Sequence, residues 1–212
     1  MTEDLLRTLR ESIQQHRRIS WLFSGSHDLL DLPHVRWTSY LVNARTVEVA
    51  PFSPEETRLL LTQPLEHSTR PDVKAAGQAT FGAAFWGERG MEIIHEEAGG
   101  WPHLVQAIAA TIVDLCNLHG RAQADPTVIE EAIAKTIVSS ETVLADLMLY
   151  NSTKYPEAWE YLARFRTHDR LLPPENDALR RRLKRYLLVR ETEDGQWQLS
   201  VPLMLRWLRK RA

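Results

Sequence analysis

"EEAGGWPHLVQAIAATI", residues 96–112, decides how this chain is read. An acidic helix end runs into two glycines, then a tryptophan and a proline, then a long apolar stretch. Gly99 is the expected stop of the helix "GERGMEIIHEEA", because glycine takes the left-handed conformation that ends helices without steric cost. Pro102 suits the first position of the next helix, where its missing N–H is not needed and its fixed φ is already helical. Leu104, Val105, Ile108, Ile112, Leu115 and Cys116 make that helix, residues 102–118, apolar over most of its surface, which predicts a central buried helix. A joint this stiff has two readings. It is a structural corner with Trp101 as an anchor, or it is a ligand-facing corner, where a rigid proline ring stands beside a helix N-terminus that favours an anion.

Toward the N-terminus, "PFSPEETRLLL" predicts another helix start. Ser53 is the N-cap, Pro54 holds the first position and Glu56 closes a capping box. Residues 64–86 are rich in small residues and breakers, and read as a loop containing a short helix. "ISWLFSGS", residues 19–26, predicts a buried strand ending in a loop, and "TVEV", residues 46–49, a second strand. Leu5, Leu6, Leu9 and Ile13 place residues 3–16 on an amphipathic helix.

Toward the C-terminus, Asp125-Pro126 caps a helix carrying Val128, Ile129, Ala132, Ile133 and Ile137. The rhythm then changes. "PEAWEYLARF" and "ENDALRRRLKRYLL" are short helices separated by "DRLLPP", with Leu183, Tyr186 and Leu187 expected in the core. "LVRETEDGQWQLSV" is a hairpin around Asp194-Gly195, and "PLMLRWLRKR" closes with a helix. Helices, a hairpin and a terminal helix make a winged-helix pattern.

The chain has 212 residues, of which 43% are hydrophobic and 25% charged, as in an ordinary globular protein. No apolar run is long enough to span a bilayer, so no membrane partner is expected. The single cysteine, Cys116, excludes an internal disulfide and fits a cytoplasmic location. The net charge of −2 is unevenly spread, with 14 Lys+Arg against 8 Asp+Glu from residue 151 onward. A basic C-terminal part on an acidic body suggests two units, and permits a charged contact between them or with nucleic acid.

Several chemistries lack their residues. The sequence holds no GxxxxGK[ST] phosphate loop, no apolar strand ending in paired acids, no HExxH and no second cysteine. "SGSHD" is not the GxSxG of an esterase elbow.

The ordered set of pieces that remains resembles the C-terminal two-thirds of a bacterial or archaeal signal-transduction ATPase with numerous domains, within the AAA+ class. "LFSGSHDLLDL" resembles the strand and loop of its first nucleotide sensor. "VEVAPFSPEETRLLLTQP" is similar to the segment leading into its helical lid. "GGWPHLVQAIAATIVD" resembles its Gly-x-Pro motif, and "QLSVPLMLRWLRK" the end of its winged domain. The resemblance implies that Pro102 packs on a nucleotide base, with Trp101, Ser24 and Ser26 nearby. Two departures stand out. Related eukaryotic members keep an arginine after the sensor strand, where this chain has Ser26 and His27. They also keep a phosphate-touching histidine late in the winged domain, where this chain has Ser200-Val201-Pro202. The phosphate loop, its lysine and the acidic Mg²⁺ site, on which phosphoryl transfer depends, would lie before Met1.

The fold expected is therefore mainly α with few strands: the C-terminal part of an incomplete α/β nucleotide-binding core (1–63), a helical lid (64–148) and a winged-helix domain (149–212). The function expected is that of the lid and winged-helix portion of a nucleotide-dependent switch ATPase, not catalytic alone. ATP or ADP would be its cofactor only together with the missing part. Its partner would be the other half of the core or a second copy of itself, meeting the unpaired edges of the strands at 19–24 and 46–49. The rival readings are a plain protein-interaction module and a DNA-binding winged-helix regulator. In the latter, Arg181, Lys184 and Arg185 would line the face that meets a major groove.

Overall fold

A computed structural model describes residues 3–16, 18–23, 45, 47, 49–66, 68–149 and 156–211. Internal contacts divide the chain into two units, residues 1–49 and 50–212. In the first, helix α1 (Glu3–Gln15) forms as its apolar spacing predicts. Leu6 is fully buried, while Leu5 is half exposed. Residues 19–23 form no strand, against the expectation for "ISWLFSGS". Ile19, Trp21, Leu22 and Phe23 are all exposed there, with the rings of Trp21 and Phe23 stacked 6.4 Å apart. A β-branched and aromatic run becomes a strand only by pairing, and these residues pair with no described neighbour. Residues 24–26 of that expected strand, and 46 and 48 of the second, lie outside the described residues.

The second unit is mainly helical. Its helices are α2 (Pro54–Thr62), α3 (Pro71–Thr80), α4 (Ala83–Trp86), α5 (Glu88–Ala98), α6 (Pro102–His119), α7 (Pro126–Ser139) and α8 (Glu141–Leu149). There follow α9 (Pro156–Ala163), a 3₁₀ turn (Arg164–Arg166), α10 (Asp177–Arg185), strands β1 (Val189–Glu191) and β2 (Trp197–Leu199), and α11 (Pro202–Lys210). The caps read from sequence are in place. Ser53 and Glu56 form both halves of a capping box on α2. Asp125 accepts from Thr127 and Val128 at α7, and Asn176, a cap outside those expected from the sequence, accepts from Ala178 and Leu179 at α10. Each such cap satisfies N–H groups that a helix start leaves without partners, worth about 1 kcal/mol.

β1 and β2 pair antiparallel, with Val189 opposite Leu199 and Glu191 opposite Trp197. Leu171 bridges the other edge of β2 at Trp197. The hairpin reverses at Gly195, whose φ of +74° fits the Asp-Gly turn.

One continuous apolar core runs from Leu61 to Leu208. Leu104, Val105, Ile108 and Ile112 of α6 have no exposed surface, so α6 is the central helix its composition predicts. It packs most extensively on α7. α11 then lies across α5, α7 and α8, which joins the C-terminal elements to the helices before them. Helix α2, which the sequence grouped with residues 1–63, packs on α5 and α6 within the second unit.

Leu187 differs from its expected place. It is 40% exposed, with φ at +53°. The helix end explains this. Leu187 N–H donates to Lys184 and Leu188 N–H to Leu183, a closing pattern that needs a left-handed residue at position 187. Leu188 takes the buried place instead.

Candidate functional site

The corner quoted at the outset is built from two left-handed residues in succession, Gly99 at φ +58° and Gly100 at φ +73°. Gly99 N–H donates to Glu96 and Gly100 N–H to His95, closing α5. Both glycines are also sites of close approach. A Cβ on Gly99 would stand 2.7 Å from the Ser200 carbonyl oxygen, and one on Gly100 only 2.4 Å from that of Phe52. Phe52 N–H donates to Gly100 O at 2.7 Å. Three stretches of backbone therefore meet here: the approach to α2, the α5–α6 turn and the approach to α11.

Side chains lock the same junction. Thr57, fully buried on α2, shares a 2.8 Å hydrogen bond with His95 Nδ1. Arg206 of α11 donates at 2.6 Å to Glu97 of α5, and again at 2.6 Å to Glu130 of α7. Desolvation works against the Arg206 charge, and the bonds to the two carboxylates outweigh it, so its pKa is raised.

Pro102 opens α6 and is partly exposed, with Leu104, Val105 and Ile108 buried behind it. No side chain caps the first turn of α6. Trp101 is half buried against the core, its indole N–H without an acceptor among the described residues. Its ring meets that of His103 edge-on at 5.7 Å, and desolvation lowers the His103 pKa, which favours the neutral ring. The corner thus combines an anchored tryptophan with an accessible proline ring and an uncapped helix start. Ser24, Ser26 and His27 lie outside the described residues, so the structure brings Trp101 and Pro102 together and leaves the rest of the expected nucleotide site without geometry.

The basic residues of α10 are only partly available. Arg181 is exposed. Lys184 donates to Glu191 at 2.6 Å and lies 5.4 Å from the centre of the Trp197 ring. Arg185 is exposed and already takes part in an interaction of its own. Around them, Arg170 pairs with Asp194 and Arg209 with Asp169. Much of the basic charge of this part is therefore matched within the fold. Among the described residues no group of three or more His, Cys, Asp or Glu side chains is placed to hold a metal ion, and no helix is long and apolar enough to cross a membrane.

Sequence reasoning missed Phe52, Thr57, His95 and Arg206 as parts of the corner. Their partners lie 38 or more positions away in every case, and no local pattern encodes a contact at that range. Comparison with protein families, with curated proteins and with solved structures found no match to this chain.

Proposed function

We propose that this chain is the lid and winged-helix portion of a nucleotide-dependent switch ATPase, acting by conformational change and performing no phosphoryl transfer by itself. The observation that carries this reading is the Gly99–Pro102 corner. It holds a partly exposed proline ring on a rigid turn, beside a helix start that no side chain caps. A small rigid apolar ring suits the face of a nucleotide base, and the positive end of the α6 dipole suits an anion, although Pro102 has no N–H and those of Leu104 and Val105 turn back to the Trp101 carbonyl. The bridge from Leu171 to β2, the placement of α10 before the hairpin and the return of α11 support the winged-helix part. The DNA-binding alternative has less support, because Lys184 is already bonded to Glu191.

Photolabelling tests the proposal directly. The chain is irradiated with 8-azido-ATP at millimolar concentration, and the labelled peptide is mapped by mass spectrometry. The expected adduct falls on the peptide containing Trp101 and Pro102, is competed away by ATP, and is lost in Pro102→Ala while the helical circular dichroism is kept. Labelling that ATP does not compete, or that avoids residues 99–103, rejects the nucleotide role and leaves the corner as a joint between helices.

A further inference from the structure

We propose that the arm carrying α3 is a hinged segment that opens as a local unit between two roots stapled by the Trp86 indole. This inference is independent of the nucleotide reading. Trp86 is almost fully buried, and its Nε1–H is shared between two carbonyls, Leu61 O at 2.9 Å and Phe81 O at 3.2 Å. Those carbonyls stand at the two roots of the arm, one at the end of α2 and one just after α3. The Trp86 ring is fixed in turn by Phe85, edge-on at 4.7 Å, and by Phe81, stacked at 6.4 Å. The roots are therefore held firmly.

The arm between the roots is held weakly. α3 has no side-chain cap, carries Gly77 in its interior and buries no apolar side chain. A ten-residue helix with these properties gains little from propensity, and it packs extensively on no other element. Its contacts go back to its own leading turn. Lys74 pairs with Glu66, and Gly77 lets Leu65 lie so close that a Cβ would come within 2.8 Å of its methyl carbon. A segment that is closed on itself, tied at its ends and poor in buried apolar contacts opens as a local unit, at a free energy below that of global unfolding.

Beneath the roots lies a groove of about 220 Å³, lined by Leu60, Leu61, Pro64, Phe81, Trp86 and Val113 among others. Pro64 and Phe81 belong to the roots themselves. The staple therefore also fixes the Phe81 wall of this groove, which no residue of α3 lines.

Hydrogen exchange read by mass spectrometry on the whole chain tests this. Amides of residues 73–80 are expected to exchange at least about a hundredfold faster than those of residues 104–116, through an opening insensitive to low denaturant. Trp86→Phe keeps a ring and removes the donor. It is expected to speed exchange at 73–81, and tryptic cleavage after Lys74, about tenfold, leaving residues 104–116 unchanged. Exchange of residues 73–80 in step with α6 in the unaltered protein overturns the proposal. So does a Trp86→Phe variant in which both regions accelerate equally.

Discussion

Two of the helix ends that close on a left-handed residue do so with different residues. α5 ends on Gly99 and Gly100, and α10 ends on Leu187. In both, successive N–H groups reach back to the last turn of the helix. The difference lies in what surrounds them. At Gly100 the space that a side chain would need is filled by the Phe52 carbonyl, and at Gly99 by that of Ser200. At Leu187 the side chain points away from the core and remains 40% exposed, so the position bears only the backbone cost of a positive φ. A left-handed stop therefore tolerates leucine where solvent lies outside it, and demands glycine where two other segments press against it.

Substitutions separate these two costs. Gly100→Ala carries both, the strained φ and a Cβ 2.4 Å from a backbone oxygen that cannot move without displacing the approach to α2. The expected loss is about 3 kcal/mol or more, read as the shift in the urea midpoint. A loss under about 1 kcal/mol would mean that the corner yields and is not rigid.

Arg206→Ala asks whether the corner stays in place without its ionic tie. The substitution leaves Glu97, which is almost fully buried, without its cation. The expected loss is about 1–3 kcal/mol, below that of a fully enclosed pair because Arg206 is itself partly exposed. Arg206→Met, which restores packing but not charge, should recover little of it at neutral pH. Full recovery would assign the effect to packing.

Gly120→Ala isolates the cost of φ. Gly120 ends α6 at φ +62° with nothing near its missing Cβ. Its replacement should cost about 1 kcal/mol, well short of Gly100→Ala. Equal losses at the two positions would show that the contacts with Phe52 add nothing.

The smallest effect is of opposite sign. Leu187→Gly removes the strain at the end of α10, offset in part by the greater freedom of glycine in the unfolded chain, and should stabilise by about 0.5–1 kcal/mol. Destabilisation in a urea titration would show that the exposed leucine contributes packing that outweighs its backbone strain.

The sequence alone determined the starts of α2, α6 and α7, the end of α5 and the central helix, while α3 and α4 fall in the stretch 64–86 that reads as a loop with one short helix, and α8 is not among the expected elements. Ser53, Asp125, Pro54, Pro126 and Gly99 act through bonds that span at most a few positions, so their residue types are sufficient to announce them. The apolar spacing of α6 likewise announces burial without saying against what. The expected strand at 19–26 rested on residue type where pairing decides, and its described part, residues 19–23, is not a strand.

Only the tertiary structure decided what makes the Gly99–Pro102 corner rigid. Gly100 is legible as a turn glycine, but its close approach to Phe52 depends on where α2 comes to rest. Arg206 reads as one more basic residue of an amphipathic helix until α11 sets it between Glu97 and Glu130. Trp86 ends a stretch that reads as a loop until its N–H is found between the carbonyls of Leu61 and Phe81. Caps and turns are local and appear in the order of residues. Close approaches and long-range ion pairs depend on the packing of the whole core, which no short stretch of sequence contains.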